Sequence, residues 1–339
     1  MSSTLRAAVS ARKPGRLVPV RSGSHVSPLG ESLCLPPPPP PPLTRAPHVV
    51  ALAPNVHAFL QPDGGWCLNN AGFLGDGRES LLVDTAATER RARLLREAVL
   101  AEGLPLPGTI VSTHHHGDHT YGNGVFLPEA RIVGHENCRS EQLAAGHQLH
   151  LLWPQTDFGA IDIVAPSVTY RDHLTLYVGG IEVRVLHPGP AHTTGDSIVH
   201  LPEQGVVFTG DLVFQGGTPF LPMGSLAGSL RALDVLRSLD APTVVPGHGR
   251  VTDPSAYDAT ERYLLRVREL AAEGRARGAT PLETARRADL GEFTAWRESE
   301  RLVANLHRAY AELAGLPEAS PLDPVAVFGD MAAMNGGVP

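Results

Sequence analysis

The sequence predicts an α+β fold in which layers of helix cover sheets of strand. Three observations lead there. Short apolar runs such as VVALAPNVHAFLQ, WCLNNAGFLGD and SLLVDTA are separated by Asp-Gly and Gly-Asp turn signals, as strands are. Helical patterns interrupt these strands. After Asp253 the chain turns helical to its end.

Each element follows from its pattern. In ATERRARLLREAVLAEG, the apolar residues Ala87, Leu94, Leu95 and Val99 recur at helical spacing and Gly103 closes the helix. GTIVST reads as a strand, followed by ARIVG at 130–134, LTLYV at 174–178, IEVRVL at 181–186, SIVHL at 197–201 and GVVFTG at 205–210. LAGSLRALDVLRSL is a helix, PTVVPG a strand. PSAYDATERYLLRVRELAAEG, PLETARRA and SERLVANLHRAYAELAG are helices. In the last, Leu302, Leu306, Tyr310 and Leu313 form an apolar face suited to packing on the core, covering the site or pairing with a second copy.

Residues 1–45 differ from the rest. They are rich in Ser, Arg and Pro and end in seven prolines, Pro36–Pro42, which favour an extended polyproline conformation. The expected organisation is a disordered tail over 1–45, a catalytic domain over 46–252, helices packed on it over 253–316, and a tail over 317–339. A proline ligand for a partner is the alternative for the first segment.

The chain has 28 basic and 35 acidic residues; six of the basic ones precede residue 47, against one acid, Glu31. The remainder therefore carries a net charge of −12 (22 − 34), which argues against nucleic acid as a partner. No apolar run approaches the ~20 residues of a membrane span. No secretory leader is indicated. Cys34, Cys67 and Cys138 are scattered and odd in number, suggesting no disulfide framework. A cytoplasmic location is the expectation.

The chemistry concentrates at residues 111–124, VSTHHHGDHTYGNG. In an extended segment alternate side chains share a direction, so His114 and His116 converge while His115 faces away. Asp118 and His119 follow as the chain turns, and can face a second point. Two imidazoles do not complete a zinc site, which takes about four ligands and leaves one to water when catalytic. Three downstream candidates stand at strand ends: His192 in PAHTTGDS, Asp211 in VVFTGD and His248 in VVPGHG. His57, His135, His187, His200 and His307 read as structural. Asp84 and Asp196 are either turn acids or groups that orient the ligand loops.

These motifs resemble the metallo-β-lactamase superfamily over roughly residues 47–250. The resemblance implies an αββα sandwich with a helical C-terminal extension. It implies one metal held by His114, His116 and His192, a second by Asp118, His119 and His248, and Asp211 bridging both. Two Zn²⁺ are expected, with Fe or Mn possible, and Asp118 would orient the attacking water or accept its proton.

Departures from known subfamilies narrow the substrate. Asp211 stands where the best-known β-lactamases have cysteine, and Phe214 where they have lysine. A glutathione-gripping basic C-terminal motif is not evident. The apolar LVFQGGTPFLPMGS with Trp66, Asn69 and Asn70 suits a pocket for a hydrophobic or aromatic acyl group, with Trp66, Asn70, Phe214 and Phe220 as substrate-binding candidates. Ordinary packing is the alternative for Trp66 and Phe220. PDGGWCLNNAGF, VDTAATERR, THHHGDHTYGN, GDLVFQGGTPF and ADLGEF…RLVANLHRAYAEL are similar to an actinobacterial branch of the superfamily that includes aromatic polyketide thioesterase/cyclases. That resemblance implies an acyl substrate on an acyl carrier protein. A generic ester, lactone or thioester hydrolase is one alternative; a non-catalytic metal-binding interaction protein is another. A homo-oligomer is an open expectation for the chain.

Overall fold

The computed structural model describes residues 46–337; the tail expected over 1–45 lies outside them. One sheet of seven strands runs in chain order: β1 (His48–Ala53), β2 (Val56–Leu60), β3 (Ala71–Gly75), β4 (Ser80–Val83), β5 (Thr109–Val111), β6 (Arg131–His135) and β7 (Val168–Tyr170). The first four are antiparallel meanders and the last three parallel. A second sheet of five strands comprises β8 (His173–Val178), β9 (Ile181–Leu186), β10 (Ile198–Leu201), β11 (Val206–Phe208) and β12 (Thr243–Val245), with β11 and β12 parallel.

The layers follow from where each face buries its apolar residues. Val56, Leu74, Leu81, Val111, Val183, Val199 and Val245 share one core, which fills the space between the two sheets. On the outer face of the first sheet, Phe73, Leu82 and Ile110 pack against Leu95 and Val99 of α1 (Glu89–Ala101). Thr88 caps that helix by accepting from Arg91 N, satisfying one of its orphan N–H groups. Short helices α2 (Gly117–Thr120), α3 (Glu136–Ala145) and α4 (Gln148–Leu152) lie in the connections on this side of the chain.

The second sheet's outer face carries Ile198, Val207 and Val244. It is covered by α5 (Leu226–Ser238), α6 (Ser255–Ala276), α7 (Pro281–Arg286), α8 (Arg301–Leu313) and α9 (Pro324–Asn335), which share one core with it. This is the αββα sandwich with helical C-terminal extension expected from the sequence. In α8, Leu302 and Leu306 are buried, Tyr310 half-buried and Leu313 exposed. The segment 317–339, expected as a tail, is corrected by α9: Asp323 caps it, Pro324 opens it, and Val327 and Met331 are buried against the other helices. No helix among the described residues is long and apolar enough to cross a membrane. Cys67 and Cys138 are free.

Candidate metal centre

Strand pairing builds the histidine loop. β4 and β5 run parallel with Val83 opposite Val111, so Asp84 emerges beside the end of β5. Asp84 accepts from Thr113 N at 2.7 Å and Thr113 Oγ1 at 2.6 Å, and from His119 Nδ1 at 2.8 Å. Because Thr113 gives its hydroxyl proton to Asp84, its lone pairs face His114 Nδ1 at 3.1 Å. One buried carboxylate thus orients two rings of the loop. His116 is still extended (φ −60°, ψ 143°) and caps α2, which carries Asp118 and His119 away on a helical turn. The change of conformation at His116 separates the two groups of side chains.

The other three residues arrive from the second sheet. His192 lies between β9 and β10, and its Nδ1 donates to Phe220 O at 2.6 Å. Asp211 follows β11 and His248 follows β12, delivered to the same end by the parallel pairing of Phe208 with Val245. His248 Nδ1 engages Gly64 O at 3.2 Å. In His114, His119, His192 and His248 the Nδ1 atom is thereby occupied, leaving Nε2 to face inward.

Those Nε2 atoms converge on Asp211, at 3.8 Å for His114, 3.1 Å for His119, 3.4 Å for His192 and 3.6 Å for His248. His116 turns its Nδ1 inward, 3.0 Å from His192 Nε2, and Asp118 lies 3.3 Å from His248 Nε2. The side chains form two groups: His114, His116, His192 and Asp211, then Asp118, His119 and His248, each with its potential ligand atoms within 4.8 Å of one another. His115 belongs to neither; it is buried with Nδ1 3.0 Å from Glu141 Oε2, as alternation expects.

The donor set fits divalent cations. His114 Nε2 is buried with no hydrogen-bond partner, an arrangement that costs about 1–3 kcal/mol unless something is bound. Burial holds His114 and His116 well below the usual imidazole pKa, and brings His192 down to about 4, despite Asp211. These three rings are neutral at neutral pH, with lone pairs free. Asp211 is held well below the carboxylate range: burial raises it, but His248, His119 and His192 outweigh burial.

The family model of the metallo-beta-lactamase superfamily matches residues 64–248, which is more than half of the chain and includes all seven clustered residues. The chain belongs to this superfamily. Among curated relatives, the alpha subunit of 2,4-dinitroanisole O-demethylase from Nocardioides sp. is 29% identical over 50% of this chain and 48% of that one. An atrochrysone carboxyl ACP thioesterase from Pseudocercospora fijiensis is 28% identical over 66% of this chain and 62% of its own. A probable hydroxyacylglutathione hydrolase from Schizosaccharomyces pombe is 31% identical over 50% and 59%. The matches span about half to three fifths of these relatives' lengths. A solved metallo-beta-lactamase from Pontibacter korlensis shares the fold, with a TM-score of 0.52 at 23% identity over 65% of this chain and 99% of that one.

A cleft opens over the metallo-beta-lactamase cluster, lined by His116, Asp118, Asp211 and His248 below and by Trp66, Trp153, Phe214, Phe220 and Phe328 around it. Phe214 stacks on His248, rings 5.2 Å apart at 7°, and Phe220 meets Trp66 edge-on at 5.2 Å. Asn70 does not line the cleft. Its amide donates to Pro246 O and Gly249 O, tying the loop before β3 to the His248 loop. Asp196 accepts from Thr193 N and Oγ1, closing the turn after His192, and burial raises its pKa to about 7. Sequence reasoning missed Arg301, whose guanidinium lies 3.8 Å over the Trp66 ring while Glu300 accepts from Trp66 Nε1 at 2.9 Å. Nothing in the α8 pattern distinguishes that arginine from a surface one.

Gly247 marks how tightly the cluster is built. A Cβ there would sit 1.9 Å from Asp211 Oδ1 and 2.9 Å from Asp211 N. Gly247→Ala is expected to push Asp211 off its position and weaken metal binding about 10- to 100-fold, the range seen when a ligand's support is lost. Zinc titration against a chelator checks this; unchanged affinity would mean Asp211 does not need that position.

Proposed function

We propose that this protein is a dinuclear metal-dependent hydrolase of acyl thioesters, and that its substrate is an aromatic polyketide acyl group on an acyl carrier protein. The observation that carries the reading is the convergence of seven ligand-type side chains in two groups, with Asp211 of the first also facing His119 and His248 of the second, beneath an aromatic-walled cleft. His114, His116 and His192 would hold one ion and Asp118, His119 and His248 the other, with Asp211 the acid within reach of both groups; zinc would suit this nitrogen and oxygen set, and iron or manganese would also fit it. Bound there, the ions supply Lewis-acid polarisation of the acyl carbonyl and acidify a water enough to serve as nucleophile near neutral pH.

The chain's own residues do the rest. Asp118, kept ionised by His119 and His248 against its burial, orients that water and accepts its proton. Trp66, Trp153 and Phe220 stack a flat acyl group over the cluster, fixing its carbonyl toward the floor and excluding bulk water. The same Lewis-acid chemistry would also suit second-ring closure alongside release of the chain. A relative named as an atrochrysone carboxyl ACP thioesterase supports thioester chemistry, and one named as a probable hydroxyacylglutathione hydrolase supports hydrolysis of an acyl group.

The test is thiol release by the zinc-loaded protein from aromatic acyl thioesters, carrier-bound and free, with a β-lactam as control. Metal-dependent thiol release with a cyclised product by mass spectrometry is expected. A protein that binds two metal equivalents yet frees no thiol would remove the thioesterase reading and direct attention to oxygen esters and lactones.

A further inference from the structure

Helix α8 lies beyond the residues 64–248 of the family match, yet one of its faces holds the loop that touches the cluster. Arg301 Nη1 donates to Thr218 O at 3.0 Å. Asn305 Nδ2 donates to Pro219 O at 2.8 Å, and its Oδ1 accepts from Leu221 N at 2.9 Å. Arg308 Nη2 donates to Pro222 O at 2.6 Å. Glu312 accepts from Leu226 N at 2.7 Å and Ala227 N at 3.2 Å. Positions 301, 305, 308 and 312 share one helix face. Arg301, Asn305 and Arg308 are each at most 1% exposed. Segment 218–227, a loop to Ser225 and then the first turn of α5, pairs with no strand along most of its length, so its buried backbone groups need partners; the four α8 side chains provide them for six of these groups.

The centre of this ladder is the peptide around Phe220. Asn305 grips the carbonyl before it and the N–H after it. The Phe220 carbonyl in turn receives His192 Nδ1–H at 2.6 Å. That bond settles the ring's tautomer and aims Nε2 at the cluster. We propose that Asn305 is a positioning residue of the metal centre, acting on His192 through Phe220. The C-terminal helix is then part of the site's scaffold. This rests on His192 being a metal ligand. Asn305 also donates to Tyr263 OH at 3.1 Å and so ties α8 to α6; lost stability alone would not distinguish positioning from packing.

The experiment compares zinc and cobalt(II) titrations of the full chain with Asn305→Leu, Asn305→Asp and Glu312→Gln. Leucine removes both grips; aspartate keeps the acceptor for Leu221 N and removes the donor to Pro219 O. Glu312 serves the far end of the ladder, away from Phe220. The expected result is that one of two equivalents, the one ligated by three histidines, weakens about 10- to 100-fold in Asn305→Leu and less in Asn305→Asp, with the other unchanged. The cobalt spectrum of the three-histidine position should change with it. Glu312→Gln should lower Tm and leave both affinities alone. Either folded Asn305 variant binding both equivalents as tightly as the unaltered chain would overturn the proposal, and Asn305→Asp serves if leucine prevents folding. Failure of the unaltered chain to take up metal would instead remove the reading of the site itself.

Discussion

Asp211→Ala is expected to release both metal equivalents and reduce turnover to the uncatalysed level. Four imidazole Nε2 atoms lie within 3.8 Å of this carboxylate, and among the described residues no other acid reaches both groups. Removing it would leave the two groups of ligand-type side chains without a shared counter-charge for bound cations. It also leaves His119 and His248 with Asp118 as the acid beside their inward nitrogens. On the same reading His116→Ala takes a side chain from one group and should deplete that equivalent first, with loss of activity as the expected outcome. Elemental analysis of the purified variants, beside circular dichroism to show they are folded, gives the answer. A folded Asp211→Ala protein carrying two equivalents and full activity would dismiss the bridging role.

The legible part of this protein was the part built from local pattern. Strands β1 to β6 and β8 to β12 follow from apolar runs and turn signals, and α1, α5, α6, α7 and α8 from helical patterns. The grouping of His114 with His116, and His115 apart, needed only the alternation of an extended chain. Other elements carried no such signal. β7 is three residues at a sheet edge with two exposed positions. α3 buries just Cys138 and Gln142, so it shows no apolar stripe. α9 is apolar on more than one side, and reads as well for a tail as for a helix. Asn70 illustrates a different limit. Its partners, Pro246 and Gly249, lie over 170 residues away, so nothing near it in sequence showed that its amide was engaged. The buried face of α8 is the same case on a larger scale: Arg301, Asn305 and Arg308 look like solvated residues until segment 218–227 is folded against them.

The two metal equivalents should differ in their dependence on pH. In the first group burial keeps His114, His116 and His192 neutral, the last titrating near 4, so no proton has to leave when an ion arrives. In the second group burial again opposes charge, but carboxylates outweigh it. Asp211, with Asp118, lifts His248 to about 9, and Asp211, Asp84 and Asp118 lift His119 well above the usual imidazole range. Without metal, both rings are protonated at neutral pH, and their protons balance the acids that an ion would otherwise balance. Only the neutral ring is a ligand, so the second equivalent must displace them. Its affinity should rise roughly tenfold per pH unit between about 7 and 9 for His248 alone, and more steeply with His119 added. Affinity for the first equivalent should be flat over that range. The metal-free fold responds in the opposite sense. A histidine raised from about 6.5 to near 9 stabilises the fold fully below 6.5, and that contribution is lost as pH rises through 9. Calorimetric titrations in buffers of different ionisation enthalpy read the protons directly: none for the first equivalent at pH 7.5, one to two for the second. Equal proton release in both steps would mean that the carboxylates do not divide their charge between the two groups in this way.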